Sequence, residues 1–256
     1  MIPNNQETQS HNPARADEKT RLHETHCDPC GDVTLVSNDG VEFRASSFQF
    51  SKISKFFSDA FSLPPPPPSS SKESREPIPL DFPENTMSLF LDLALIPPHY
   101  HFTILNDIDD PLLLESLLDL ADFAICEGLK PSIDSALFDL SEQYPFEVLT
   151  IASRRSHTLL AKRTVRNLRL LASFRIWEDK DRLGRIKDQF SVLSQEYQSE
   201  LFILLLHQCH ARGGNAASVG FSYDDWCKIS DRFDPEVPIR SKILEVPDED
   251  ESEIED

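Results

Sequence analysis

Glycine, cysteine and basic residues are all in short supply in this chain, and each shortage removes a class of function. Seven glycines in 256 residues leave no glycine-rich loop to cradle a phosphate, a task that needs backbone N–H groups unobstructed by Cβ atoms. Five cysteines, an odd number without regular spacing, form no disulfide framework. No stretch approaches the ~20 consecutive apolar residues that cross a bilayer, and Met1 to Arg21 has no apolar core of the kind a signal peptide carries. Lys and Arg number 25 against 44 Asp and Glu, a net charge of −19. That charge repels phosphate and argues against non-specific binding to nucleic acid or to an anionic membrane. The expectation is an intracellular chain, cytoplasmic or nuclear, with no nucleic-acid or membrane partner.

The length suits a medium domain plus a smaller one. Apolar residues make up 39% of the chain, and the shortfall collects at the two ends, which suggests a folded middle between loose termini. Residues 1–29 are polar without apolar period and read as a disordered leader. From Asp32, Val33 and Leu35 alternate with neighbours on the other face, "SNDG" supplies a turn, and Val41, Phe43 and Ala45 give the return strand one apolar face. Ser46 or Ser47 is placed to cap a helix on which Phe50, Ile53, Phe57 and Phe61 recur at helical spacing.

"PPPPPSSSKESRE", Pro64 to Glu76, excludes helix and inner strand because proline lacks the N–H. It reads as a stiff solvated loop, with a polyproline-II ligand for a proline-recognition domain as the sharper alternative. "PIPLDF" (Pro77–Phe82) suggests a short strand, and Asn85 a cap for a helix carrying Met87, Phe90, Leu91 and Ala94. Pro111 to Leu140 reads as two helices meeting near Glu127–Gly128, the first burying Leu114, Leu117, Leu118, Ala121 and Ile125, the second Ile133, Leu137 and Leu140. Pro145 opens another helix, and further helices are expected near 158–174, 180–192 and 194–211. The fold class is therefore α+β: a small sheet capped by helices, then an all-helical extension over 141–211 and a partly disordered acidic tail over 212–256.

The strand–turn–strand–helix stretch "DVTLVSNDGVEFRASSFQFSKISKFFSDAF" followed by "LLDLADFAICEGLKPSIDSAL" resembles the BTB/POZ domain, over residues 30–140. The resemblance implies a non-catalytic interaction module that forms homo- or heterodimers through its first helix, and many members of the family dock a cullin scaffold of a ubiquitin ligase. The chain is also similar to fungal BTB proteins with a helical extension. It departs from the family in having Ser46 where a His usually opens the first helix, while the strand-opening acid is present as Asp32. Partner contacts are expected at Phe48, Gln49, Lys52, Ser54 and Lys55, on the solvent side of the first helix, with Phe48 foremost because it is large, apolar and at the edge of the core stripe. A hydrophobic-x-acid tripeptide used by the family for cullin binding has a counterpart in Leu113-Leu114-Glu115, although Glu115 also reads as a solvated first-turn acid. The alternative role is thus a substrate receptor of a cullin ubiquitin ligase.

Groups able to do chemistry are sparse. "HETHCDPC" (His23–Cys30) offers zinc-type ligands, but within eight residues and without a second pair from a distant element, so it reads as incidental. Cys27-x-x-Cys30 precedes a strand rather than the helix start that lowers a thiol pKa. "HQCH" (His207–His210) with Cys227 lacks a fourth ligand. No Ser, Cys or Lys stands in a nucleophile motif, and no catalytic residue, cofactor or metal is expected. Arg154 to Lys187 holds eleven Lys and Arg against three acids, whereas the end of the chain, "VPDEDESEIED", is strongly acidic. A soluble helical face and a solubilising tail account for both; the sharper alternative has the tail folding back on the basic helices.

Overall fold

The structure is a computed structural model, and it describes residues 20–63, 76–171, 187–211 and 221–237. The proline run, residues 172–186, most of the leader and the acidic end lie outside the described residues. The chain divides into two compact units, Met1–Leu95 and Ile96–Asp256. The 30–140 stretch read above as one domain takes in elements of both. No helix among the described residues is long and apolar enough to cross a membrane.

The first unit holds a four-stranded sheet of β1 (Arg21–Cys27), β2 (Val33–Val36), β3 (Val41–Ala45) and β4 (Ile78–Pro79), in the order β1-β3-β2-β4. β2 and β3 form the expected hairpin, with Leu35 opposite Phe43 and Val36 opposite Glu42. Gly40 takes φ of 83° in the turn, a conformation that costs glycine nothing. Alternation does its work: Val33, Leu35, Val41, Phe43 and Ala45 are all buried.

The strand β1 corrects the reading of residues 21–27 as part of a disordered leader. Period-two hydrophobicity misses it because it is an edge strand whose one buried residue, His26, is an imidazole rather than an aliphatic side chain. A second correction concerns the helix after the hairpin, which is two helices, α1 (Ser47–Ile53) and α2 (Lys55–Ser62). Ser54 breaks it with an extended backbone, and its Oγ accepts the Phe57 N–H at 3.1 Å to cap α2. The phenylalanine stripe survives the break: Phe50 lies 4.9 Å from Phe57 and 6.5 Å from Phe90 between ring centroids. That last ring belongs to α3 (Glu84–Leu95), which buries Met87, Leu89, Phe90, Leu91 and Leu93. It starts one residue before Asn85, so Asn85 sits inside the first turn rather than capping it.

The regular elements described in the second unit are all helices: α4 (His101–Leu105), α5 (Pro111–Phe123), α6 (Lys130–Leu140), α7 (Pro145–Arg154), α8 (Thr158–Asn167), α9 (Gln195–Ala211) and α10 (Tyr223–Arg232), with short helical stretches besides. Asp110 caps α5 by accepting the Leu112 N–H at 2.9 Å, and Pro111 occupies the first turn, where no donor is needed. Leu114, Leu117, Leu118 and Ala121 of α5, Ile133 and Leu137 of α6, and Val148, Ile151 and Ala152 of α7 are buried. Ile125 is not: it sits 43% exposed just beyond α5 with φ of 53°, because the chain must reverse there, and Cys126 takes the buried place instead. α10 falls in the stretch read as a partly disordered tail. Ser222 and Asp225 close its first turn as a capping box, and Trp226, Ile229 and the following Phe233 are buried.

Candidate functional site

Two acids beside the hairpin strands hold the starts of α1 and α3. Asp32, just ahead of β2, accepts the Ser47 N–H through Oδ1 at 2.7 Å and the Ser47 hydroxyl through Oδ2 at 2.5 Å. Ser46 is the N-cap residue by backbone position but gives no side-chain bond. The strand-opening acid therefore takes over the capping expected of the serines. Asp39 of the hairpin turn does the same for α3, accepting the Glu84 N–H at 3.1 Å. An anion at a helix start also meets the positive end of its dipole, so both helices are oriented on the sheet by charge-assisted bonds.

On the outer side of α1, Phe48 is 66% exposed. The Lys52 ammonium lies over its ring, 4.1 Å from the centroid, a contact possible because the two are four residues apart on one helix. Gln49, Lys52 and Lys55 are exposed with it. Phe48 is thus a large apolar ring in water with polar neighbours, while Phe50, two residues on, is 2% exposed. Ser54 is a correction: it was expected at the solvent side but is 2% exposed and is spent on the α2 cap. An apolar notch opens beside Gln49, lined by Ala45, Ile53, Leu91, Ala94 and Leu95.

The other candidates, Leu113 and Glu115, lie in the second unit on α5. Leu113 is half-buried and Leu114 fully buried. Glu115 has a side chain only 14% exposed and pairs with Arg154 of α7 at 3.1 Å. Burial raises the Glu115 pKa above the usual carboxylate range, against the pull of the Arg154 charge. The reading of Glu115 as a solvated first-turn acid is therefore wrong, for a reason local sequence does not contain: α7 brings an arginine to it.

That pairing belongs to a wider pattern. Arg155 bonds to Asp119, at 2.5 Å, and to Asp122, which also receives Lys130 at 2.6 Å. Partial burial pushes the Asp122 carboxyl up, but the bonds from Lys130 and Arg155 outweigh it and hold the group below the usual range. Arg163 pairs with Asp139 at 3.7 Å and Arg166 with Asp231 at 2.8 Å, and Arg169 lies 4.3 Å from the centre of the Tyr223 ring. Much of the described part of the basic stretch is therefore engaged by acids and a ring of its own unit.

Of the metal-type residues, His23 and His26 lie on β1 against Phe43, Cys27 is half-buried and Cys30 exposed. Among the described residues no group of three or more His, Cys, Asp or Glu is gathered to hold a metal ion. The chain matches no protein-family model and no curated protein.

Proposed function

We propose that this chain is a non-catalytic protein–protein interaction module of the BTB/POZ type, dimerising or serving as an adaptor through the outer face of α1. The observation that carries the reading is Phe48: an aromatic ring two-thirds exposed (66%) on a helix whose next turn is fixed in the core. Rings of this kind, rimmed by polar side chains, are typical anchors of protein interfaces. Gln49, Lys52 and Lys55 supply that rim. The order of hairpin, first helix and late helix pair supports the family resemblance.

Co-expression of two differently tagged copies of the full chain tests it. Capture of one tag recovers the other if the protein self-associates; recovery that is absent for wild type removes the dimer, and recovery unchanged when Phe48 is replaced by Glu removes α1 as its surface. The role of substrate receptor for a cullin ligase is less well supported, because the Glu115 carboxylate is committed to Arg154. A cullin that pulls down the wild-type chain, and fails on Leu113→Ala/Glu115→Ala, would reinstate it.

A further inference from the structure

The outer strand of the sheet, β1, is attached unevenly. Ladder pairs form at its two ends, Arg21 with Val41, Leu22 with Glu42 and Cys27 with Arg44, and the register shifts between Leu22 and Cys27. His23 to His26 therefore bulge opposite Phe43. A bulge of this kind forfeits ladder hydrogen bonds, and here rings fill the gap. His23 stacks on Phe43 at 4.7 Å between centroids and on His26 at 5.1 Å. The His23 Nδ1 lone pair accepts the Thr25 N–H at 3.2 Å and the His26 N–H at 3.0 Å, which closes the bulge. His26 is the one buried residue of the strand, at 7% exposure. The middle of β1 is thus held by imidazole rings where most strands use aliphatic side chains.

Imidazole is the side chain whose charge ordinarily changes between about pH 5 and 8. A proton on His23 Nδ1 removes the acceptor of two backbone N–H groups. A proton on His26 must be carried in a nearly buried ring; burial lowers its pKa from 6.5, the Asp92 carboxylate opposes that shift, and His23 reinforces it. The charged groups facing the pair are Asp92 and Glu84 from α3 and Arg21 from β1 itself. Asp92 Oδ1 lies 3.2 Å from His26 Nε2 and favours a proton there, but burial of the ring outweighs that pull. Glu84 lies 3.9 Å from His23 Nε2 but is already engaged by Arg21. On β3, Glu42 and Arg44 flank Phe43 and so point to the opposite face. Two imidazoles stacked 5.1 Å apart thus face one half-exposed carboxylate, Asp92, and one already shared with Arg21, Glu84.

We propose that β1 is an acid-released strap: as the His23–His26 pair takes up protons the bulge opens, and the β3 edge from Val41 to Arg44 is bared. Hydrogen exchange followed by NMR on the full chain, at about pH 7.5 and about pH 5 with intrinsic rates corrected, tests this. Protection at the amides of 21–27 and 41–44 should fall by about threefold or more, because the closed strand holds the His26 proton less tightly than the open one. Protection in α3 should stay within about twofold. Equal β1 protection at both pH values, or simultaneous loss across the whole first unit, overturns the proposal. The His23→Gln/His26→Phe double variant should keep β1 protected at both pH values; release in the variant equally overturns it. Should that variant not fold, the ring signals of wild-type His23 and His26 decide: they must titrate together with the loss of protection, and titration without it refutes the strap.

Discussion

Replacing Phe48 by alanine separates folding from association, and the structure sets the size of both effects. A phenylalanine side chain presents about 150–250 Å²; with 66% of Phe48 exposed, roughly 100–165 Å² is left for a partner, about 2.5–4 kcal/mol at about 25 cal/mol per Å². In a two-fold dimer the ring counts once for each copy. Cover is incomplete at any real interface and alanine retains its Cβ, so a loss of about 3 kcal/mol is expected, which raises the dimer dissociation constant about a hundredfold. Folding should hardly notice: the lost contact with Lys52 is worth about 0.5–1 kcal/mol at an exposed site. Sedimentation equilibrium of wild type and variant reads the first quantity, and denaturant unfolding the second. A variant that dimerises as tightly as wild type refutes the α1 interface. A variant destabilised by more than about 2 kcal/mol shows instead that the ring serves the fold.

Phe57→Ala should do the reverse, costing about 3–5 kcal/mol of stability, because Phe57 is 0% exposed and packs on Phe50 and Phe61; urea midpoints measure it, and a shift under about 1 kcal/mol contradicts the packing. Asp32→Ala removes the remote cap of α1 and should cost about 1 kcal/mol, seen as faster exchange of the Ser47–Ile53 amides, whereas Ser46→Ala should have little effect. Asp122 is held below its ordinary 3.8 by Lys130 and Arg155, so its stabilisation is complete above that value and is lost as pH falls through the lowered one. The stability difference between wild type and Asp122→Asn should accordingly shrink between about pH 5 and about pH 3; a constant difference in chemical denaturation at the two pH values would mean that the carboxylate charge plays no part.

What could be read in the sequence is what neighbouring residues decide among themselves. Hairpin alternation, the phenylalanine stripe, Pro111 and Pro145 as helix openers and the α5–α6 pair all follow from spacing and backbone chemistry within a few residues. The exposure of Phe48, Gln49, Lys52 and Lys55 follows too, being the complement of the Phe50 stripe. The capping box Ser222-x-x-Asp225 is a local signal of the same kind, set among other acidic residues.

Other features depended on groups far apart in sequence. Asp32 and Asp39 look like turn acids until Ser47 and Glu84 present their N–H groups to them. Glu115 is a surface acid by position and a largely covered partner once Arg154 arrives from another helix. β1 had too little apolar character to be seen as a strand, since imidazoles pack against Phe43 only when the sheet has brought them together. Local periodicity set the hairpin and most of the helices; charge pairing and ring stacking across the chain, which have no spacing rule, added β1 and settled how the elements are held.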